Sequence, residues 1–152
     1  ADHAPAPVPL SPLSGQMLAT DPQPPLLNGT VLGKAVLFQL VSGQVVTGGN
    51  VVEGTVAAPD EAVTAEFASM AAEVVPELLD VPLRHGWTAP LTTTPDHLPI
   101  LDRLPGVDNF YLGVGHFKNG LLLAPITGQL LAEWIVDGRP SVDLHEFRWY
   151  RF

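Results

Sequence analysis

Cysteine is absent from the 152-residue chain, which excludes disulfides, thiolate zinc sites and cysteine nucleophiles. Positive charge is scarce. Seven Lys and Arg face sixteen Asp and Glu, for a formal charge of −9, and only Arg148 and Arg151 lie close together. Phosphate backbones are held by clustered Lys and Arg, so no nucleic-acid partner is expected. No uncharged apolar run of about 18 residues occurs, and none is expected to span a membrane. Leu121 to Val136 comes nearest, interrupted by Gln129 and Glu133. No basic n-region with an apolar h-region opens the chain, so no signal peptide is expected and the cytoplasm is the expected location. The first residue is not Met, which fits Met removal or a cleavage boundary. Two motifs are also missing. No G-x-S-x-G forms a nucleophile elbow, so a Ser/His/Asp hydrolase finds no support. No G-x-G-x-x-G opens a helix, because Gly113-Val114-Gly115 runs on into His116-Phe117-Lys118, and the chain carries no dinucleotide fingerprint of its own. The five histidines, His3, His85, His97, His116 and His145, include no i, i+4 pair, and no metal site is expected.

What is present is apolar and turn-rich. Hydrophobic residues make up 46% and charged residues 15%, with a mean hydropathy of +0.23. Either much apolar surface meets a partner or the core is unusually complete. Sixteen prolines and fourteen glycines argue for a turn-rich α+β chain over a helical bundle, and the length suffices for a real core.

In order, residues 1–12 read as an extended proline-rich segment. Leu13 to Thr20 reads as a strand with a bulge at Gly15. Ala35 to Val41 and Gln44 to Gly48 read as a hairpin joined by Ser42-Gly43, followed by an extended Val51 to Gly54. Gln39 is the lone amide in its strand, either on the solvated face or facing a ligand. Pro59-Asp60-Glu61 opens a helix to about Val75, with Ala62, Phe67, Met70, Ala71 and Val74 on one face. Pro82 to Leu91 reads as a strand, Thr92 to Ile100 as an ordered loop fixed by Pro95 and Pro99, and Leu104 to Asp108 as a turn. The boundaries expected are an antiparallel α+β region over 13–108 and a strand-turn-helix with a tail over 109–152.

The stretch Gly113 to Pro125 organises the chain. It reads as the end of a strand, a glycine turn and the start of an apolar helix over Leu121 to Val136, with Pro125 in the first turn and Asp137-Gly138-Arg139-Pro140 as the stop. Such a helix start directs N–H groups of about Asn119 to Leu123 at electron-rich ligand atoms.

Gly115-His116-Phe117-Lys118-Asn119-Gly120-Leu121-Leu122-Leu123-Ala124-Pro125, with Thr127-Gly128 behind it, closely resembles the C-terminal flavin segment of the glycine oxidase and D-amino-acid oxidase-like family, which includes the hydrogen cyanide synthase flavoprotein subunit. Three weaker segments occur in the family's order. Thr94 to Ile100 resembles its strand-loop with a Thr-Pro-Asp start, Gly15-Gln16-Met17 the strand that opens its substrate domain, and Gly48-Gly49 with Glu53-Gly54 its glycine-glycine segment.

The resemblance implies an antiparallel substrate-domain sheet with flanking helices, plus a strand-turn-helix completing a flavin-binding fold supplied largely by another chain. FAD is the implied cofactor, held in part by Gly115, His116, Phe117, Lys118, Asn119, Gly120, Leu121 and Leu122. The implied partner is a Rossmann-type FAD-binding subunit or a cleaved N-terminal fragment. The implied reaction is oxidation of an amine, amino acid or imino acid to an imine, with Gln39, Lys118 and His116 as substrate-side candidates and no residue assigned a catalytic role. The alternative is a non-catalytic scaffold or binding subunit of a flavoprotein complex. Lys118 stands where the family usually has Arg, and Leu91 where a second Arg is usual. Lysine gives a point charge in place of a bidentate fork, which points the substrate away from simple glycine.

Overall fold

Strand β1, Ser11–Pro22, is an interior strand of a five-stranded sheet. The computed structural model describes residues 7–152. Strands β2 (Val31–Leu32), β3 (Val36–Gln39), β4 (Gln44–Glu53) and β5 (Leu83–Thr93) complete the sheet in the order β2-β3-β4-β1-β5. The β1/β4, β3/β4 and β2/β3 pairs are antiparallel. Of the proline-rich segment, residues 1–6 lie outside the described residues, residues 7–10 form no regular element, and Ser11 and Pro12 already belong to β1.

The chain forms two compact units, Leu13–Pro90 and Leu91–Phe152, the second joined by described residues before Leu13. The sequence reading placed the boundary after Asp108; the structure places it after Pro90. The reason is strand β6, Ile100–Arg103, which pairs antiparallel with β7, Tyr111–Val114, from Ile100↔Val114 to Arg103↔Tyr111. Residues 91–108 thereby join the strand-turn-helix.

In the first unit, Leu18, Ala35, Leu37 and Val45 of the sheet region pack with Phe67, Ala71, Val75 and Leu78. The last group comes from helix α1, Glu61–Val74, its C-cap Val75, and the short 3-10 helix Pro76–Leu78 behind it. Asp60 caps α1 by accepting from the N–H groups of Ala62 and Val63, as its position predicts. Gln16 fixes the same helix start from β1. Its Oε1 accepts from Asp60 N at 2.8 Å, and its Nε2 donates to Asp60 O and Thr64 Oγ1 at 3.1 and 3.0 Å.

Three local details differ from expectation. The register of β1 against β4 shifts between Gln16 and Met17 and again between Ala19 and Pro22, while Gly15 pairs regularly with Val51. The first shift sits opposite Gly48, φ +137°, where a Cβ would stand 2.5 Å from Gln16 O. The hairpin turns over Val41-Ser42-Gly43, since Leu40 N already bonds to Gln44 O, with Gly43 at φ +90°. Pro125 lies in the second turn of helix α2, Gly120–Asp137, and not in its first. The proline leaves the Leu121 carbonyl without its usual helical donor; Leu121 is highly exposed, so water can take that place. The αL residue Gly138 ends α2, as expected from the terminator run. Among the described residues no helix is long and apolar enough to cross a membrane.

Candidate functional site

The site is built on the run from β7 through the turn to α2, within the second unit. Gly113 allows the close approach of β7 and α2: a Cβ there would stand 3.0 Å from Leu131 Cδ1 and from Thr127 Cγ2. Gly115 then takes φ +75°, and a Cβ would stand 2.8 Å from Thr94 Cγ2 and 3.1 Å from Leu10 Cδ2. Both the dihedral and the crowding require glycine. His116 forms an isolated antiparallel bridge with Thr93. Its Nε2 lies 2.9 Å from Thr127 Oγ1, which ties the turn to α2.

Phe117 has φ +52°, a left-handed conformation that a bulky aromatic residue seldom adopts and that marks strain at functional turns. It begins a 3-10 helix, Phe117–Asn119, that runs directly into α2. The Phe117 ring lies 5.3 Å from the ring of His97, centroid to centroid, and the Lys118 ammonium is 5.6 Å from its centre. His97 is itself left-handed, φ 61°, with Nδ1 2.9 Å from Thr93 Oγ1.

The donor set at the helix start is narrower than the sequence reading gave. Asn119 N donates to His116 O at 3.0 Å, so that N–H is engaged. Asn119 makes no side-chain cap on α2. The groups of the first turn without a carbonyl four residues back in α2 therefore lie on Gly120, Leu121 and Leu122. The side chains of the last two point outward, leaving these residues 91% and 81% exposed. Behind the turn lies a cavity of ≈ 290 Å³, bordered by His97, His116 and Asn119 at its polar side and by Leu123, Ile126 and Leu130 on α2.

Burial disfavours the charged imidazolium of His116 and lowers its pKa below the ordinary histidine value. A neutral His116 offers one donor and one acceptor nitrogen, suited to Thr127 on one side. Among the described residues no cluster of His, Asp and Glu has the arrangement of a metal site.

Gly115 to Leu122 thus form one continuous stretch: a glycine turn, the 3-10 helix Phe117–Asn119 and the first residues of α2. Gln39 is committed elsewhere. Its Oε1 accepts from the N–H groups of Leu26 and Leu27, and its Nε2 faces the carbonyls of Gln23, Pro24 and Gly43 at 2.8 to 3.2 Å. Through these bonds the half-buried Gln39 pins a loop to a hairpin. Sequence reasoning did not place Thr93, Thr94 and His97 around the turn; the signals for that segment were Pro95 and Pro99, which mark an ordered loop, and the resemblance of Thr94 to Ile100 to the family's strand-loop.

Residues 1–134 match the FAD dependent oxidoreductase family. The chain is 31% identical over 95% of its length to hydrogen cyanide synthase subunit HcnC of Pseudomonas protegens, of which it covers 35%. It is 30% identical over 90% of its length to a glycine oxidase of Pseudomonas aeruginosa, covering 38% of that protein. The crystal structure of glycine oxidase from Geobacillus kaustophilus superposes with a TM-score of 0.87 at 25% identity, over 96% of this chain and 40% of that one. The chain therefore spans just over a third of the length of these curated relatives.

Proposed function

Because the chain belongs to the FAD dependent oxidoreductase family, we propose that it is the substrate-side, flavin-capping part of an enzyme that oxidises an amine, amino acid or imino acid to an imine. The nucleotide-binding half is supplied from outside these 152 residues, by a separate Rossmann-type subunit or a cleaved N-terminal fragment. The observation that carries this reading is the match of nearly the whole chain to about 35% of each relative, in a sequence that lacks a G-x-G-x-x-G helix start.

The residues present fit a flavin ring. Gly115 admits no side chain, the helix start has no side-chain cap, and Gly120 to Leu122 stand at the exposed end of α2. A bound flavin supplies the acceptor for the hydride equivalent taken from the C–H beside the substrate nitrogen. The N–H groups of Gly120, Leu121 and Leu122, at the positive end of α2, stabilise negative charge placed against them. Strained Phe117 holds the turn in the shape that presents those groups. Lys118 contributes one positive charge on the substrate side, and neutral His116 holds the turn to Thr127. FAD would thus be contacted by Gly115, His116, Phe117, Lys118, Asn119, Gly120, Leu121 and Leu122.

The test is an absorption spectrum of the native assembly together with mass analysis of its chains. A yellow complex containing a Rossmann-type partner is expected, and a colourless, poorly soluble chain alone. A native protein without flavin, monodisperse and stable by itself, overturns the reading. Lys118 and Leu91, at the two positions where the resembled family has Arg, favour a second reading as a non-catalytic scaffold. Substitution of Lys118 and Asn119 separates the two: unchanged flavin spectrum and turnover select the scaffold.

A further inference from the structure

The C-terminal tail lies beyond the span matched by the family, which ends at residue 134. It nevertheless closes on the loop beside the turn. Arg151 Nε donates to Asp96 Oδ2 at 2.7 Å and Nη2 to Asp96 Oδ1 at 3.0 Å, a two-point clamp. Nη2 also donates to Leu98 O at 2.7 Å, and Nη1 to Arg148 O at 3.1 Å. The Arg151 side chain is 13% exposed. Planar guanidinium geometry matches carboxylate in this way and lysine does not.

Asp96 in turn shapes its loop. Its Oδ1 accepts from Leu98 N at 3.1 Å and lies 2.9 Å from Thr94 Oγ1, which also donates to Leu98 O at 2.7 Å. His97 N closes the loop on Thr94 O at 3.1 Å. Both ends of this loop bear on the turn: the Thr94 methyl occupies the space a Gly115 side chain would need, and the His97 ring meets Phe117.

From these contacts we infer that Arg151 is a positioning residue, which clamps Asp96 and thereby sets the shape of the Gly115–Asn119 turn. The inference deepens the flavin reading and rests on it for its spectral consequence. Arg151 acts on the turn through the 94–98 loop, by its bonds to Asp96 and Leu98 O.

The test uses the assembled flavoprotein, with Arg151→Gln, Arg151→Lys and Asp96→Asn, and Arg103→Gln as a control that removes an equal charge from an exposed pair with Asp108. The first readout is amide exchange at His97, Leu98 and Asn119, whose N–H groups are bonded within the loop and the turn. Arg151→Gln is expected to speed exchange about tenfold at His97 and Leu98 and measurably at Asn119. Arg151→Lys restores part of the protection and Arg103→Gln changes none of it. The second readout is the visible flavin band, which shifts in Arg151→Gln and returns toward wild type in Arg151→Lys. Asp96→Asn keeps the side-chain acceptor of the loop and loses the charge; it gives an intermediate result and serves if Arg151→Gln does not fold. Faster exchange confined to the loop, with Asn119 and the flavin band unmoved, overturns the inference. Absence of flavin from the wild-type assembly defeats the proposed function separately, and the exchange at Asn119 still decides the clamp.

Discussion

At Gly115 two independent constraints coincide: a left-handed φ and a space already filled by Thr94 and Leu10. Alanine there meets both, so Gly115→Ala should destabilise the protein by about 1–3 kcal/mol. A drop in the urea midpoint of that size, with altered flavin absorbance in the assembly, is the expected result. His116 next to it makes a prediction in pH. Burial depresses its folded pKa, so the unfolded chain binds the proton more readily. Its stabilising contribution is complete above the unfolded value of about 6.5 and is lost as pH falls from there through the folded pKa. His116→Gln keeps a polar group near Thr127 and cannot titrate. The wild type should lose more stability than this variant between about pH 7 and pH 5. Equal pH slopes in denaturant titrations of the two proteins would contradict the assignment.

Between elements, a buried amide does what the apolar face of α1 cannot. Gln16, 5% exposed, fixes both the N–H and the C=O of Asp60, so β1 sets where α1 begins. Gln16→Leu leaves the Asp60 N–H without its acceptor, while Asp60 O keeps Thr64 N and Thr64 Oγ1 as donors, and should cost about 1–3 kcal/mol, read as a lowered melting temperature and faster exchange in the first turn of α1. The helix itself was legible, because Asp60 and the spacing of Phe67 and Ala71 are local signals. The hairpin of β3 and β4 was legible for the same reason. Strand β6 was missed because its four residues, Ile100–Arg103, derive their strand character from β7 and carry no alternation of their own. Buried Asp102 disguised it further. That side chain is 1% exposed, pairs with Arg148 and accepts from Trp149 N, partners 46 and 47 residues away. Likewise nothing in the local sequence shows that Gln39 serves the loop at Leu26 and Leu27. The turn at Gly115 was legible as a turn, and its resemblance to a family named the cofactor. The shell of Thr93, Thr94 and His97 was not legible, since it is brought there by tertiary contacts alone.

For the molecule as a whole, the high hydropathy resolves into uncovered surface in place of an unusually complete core. Leu121, Leu122, Ile126, Ile135 and Val136 of α2 are all exposed, a density of apolar side chains that a solvated helix seldom carries. The same helix exposes Ala124, Gly128 and Ala132, four residues apart on one face. Small residues at that spacing let another backbone approach closely. If the nucleotide-binding half covers this face, bulk placed at its centre should block assembly and spare the chain's own fold. Gly128 meets those conditions, since a Cβ there has nothing within 4 Å. Leucine is also the better helix former by up to about 1 kcal/mol. Gly128→Leu should therefore leave the chain's circular dichroism unchanged and weaken its association with the nucleotide-binding half at least about tenfold, or about 1.4 kcal/mol. Titration calorimetry, or retention of flavin on dilution of the complex, measures the loss. Undiminished affinity would place the interface away from this face of α2 and would leave its exposed leucines without an explanation from assembly.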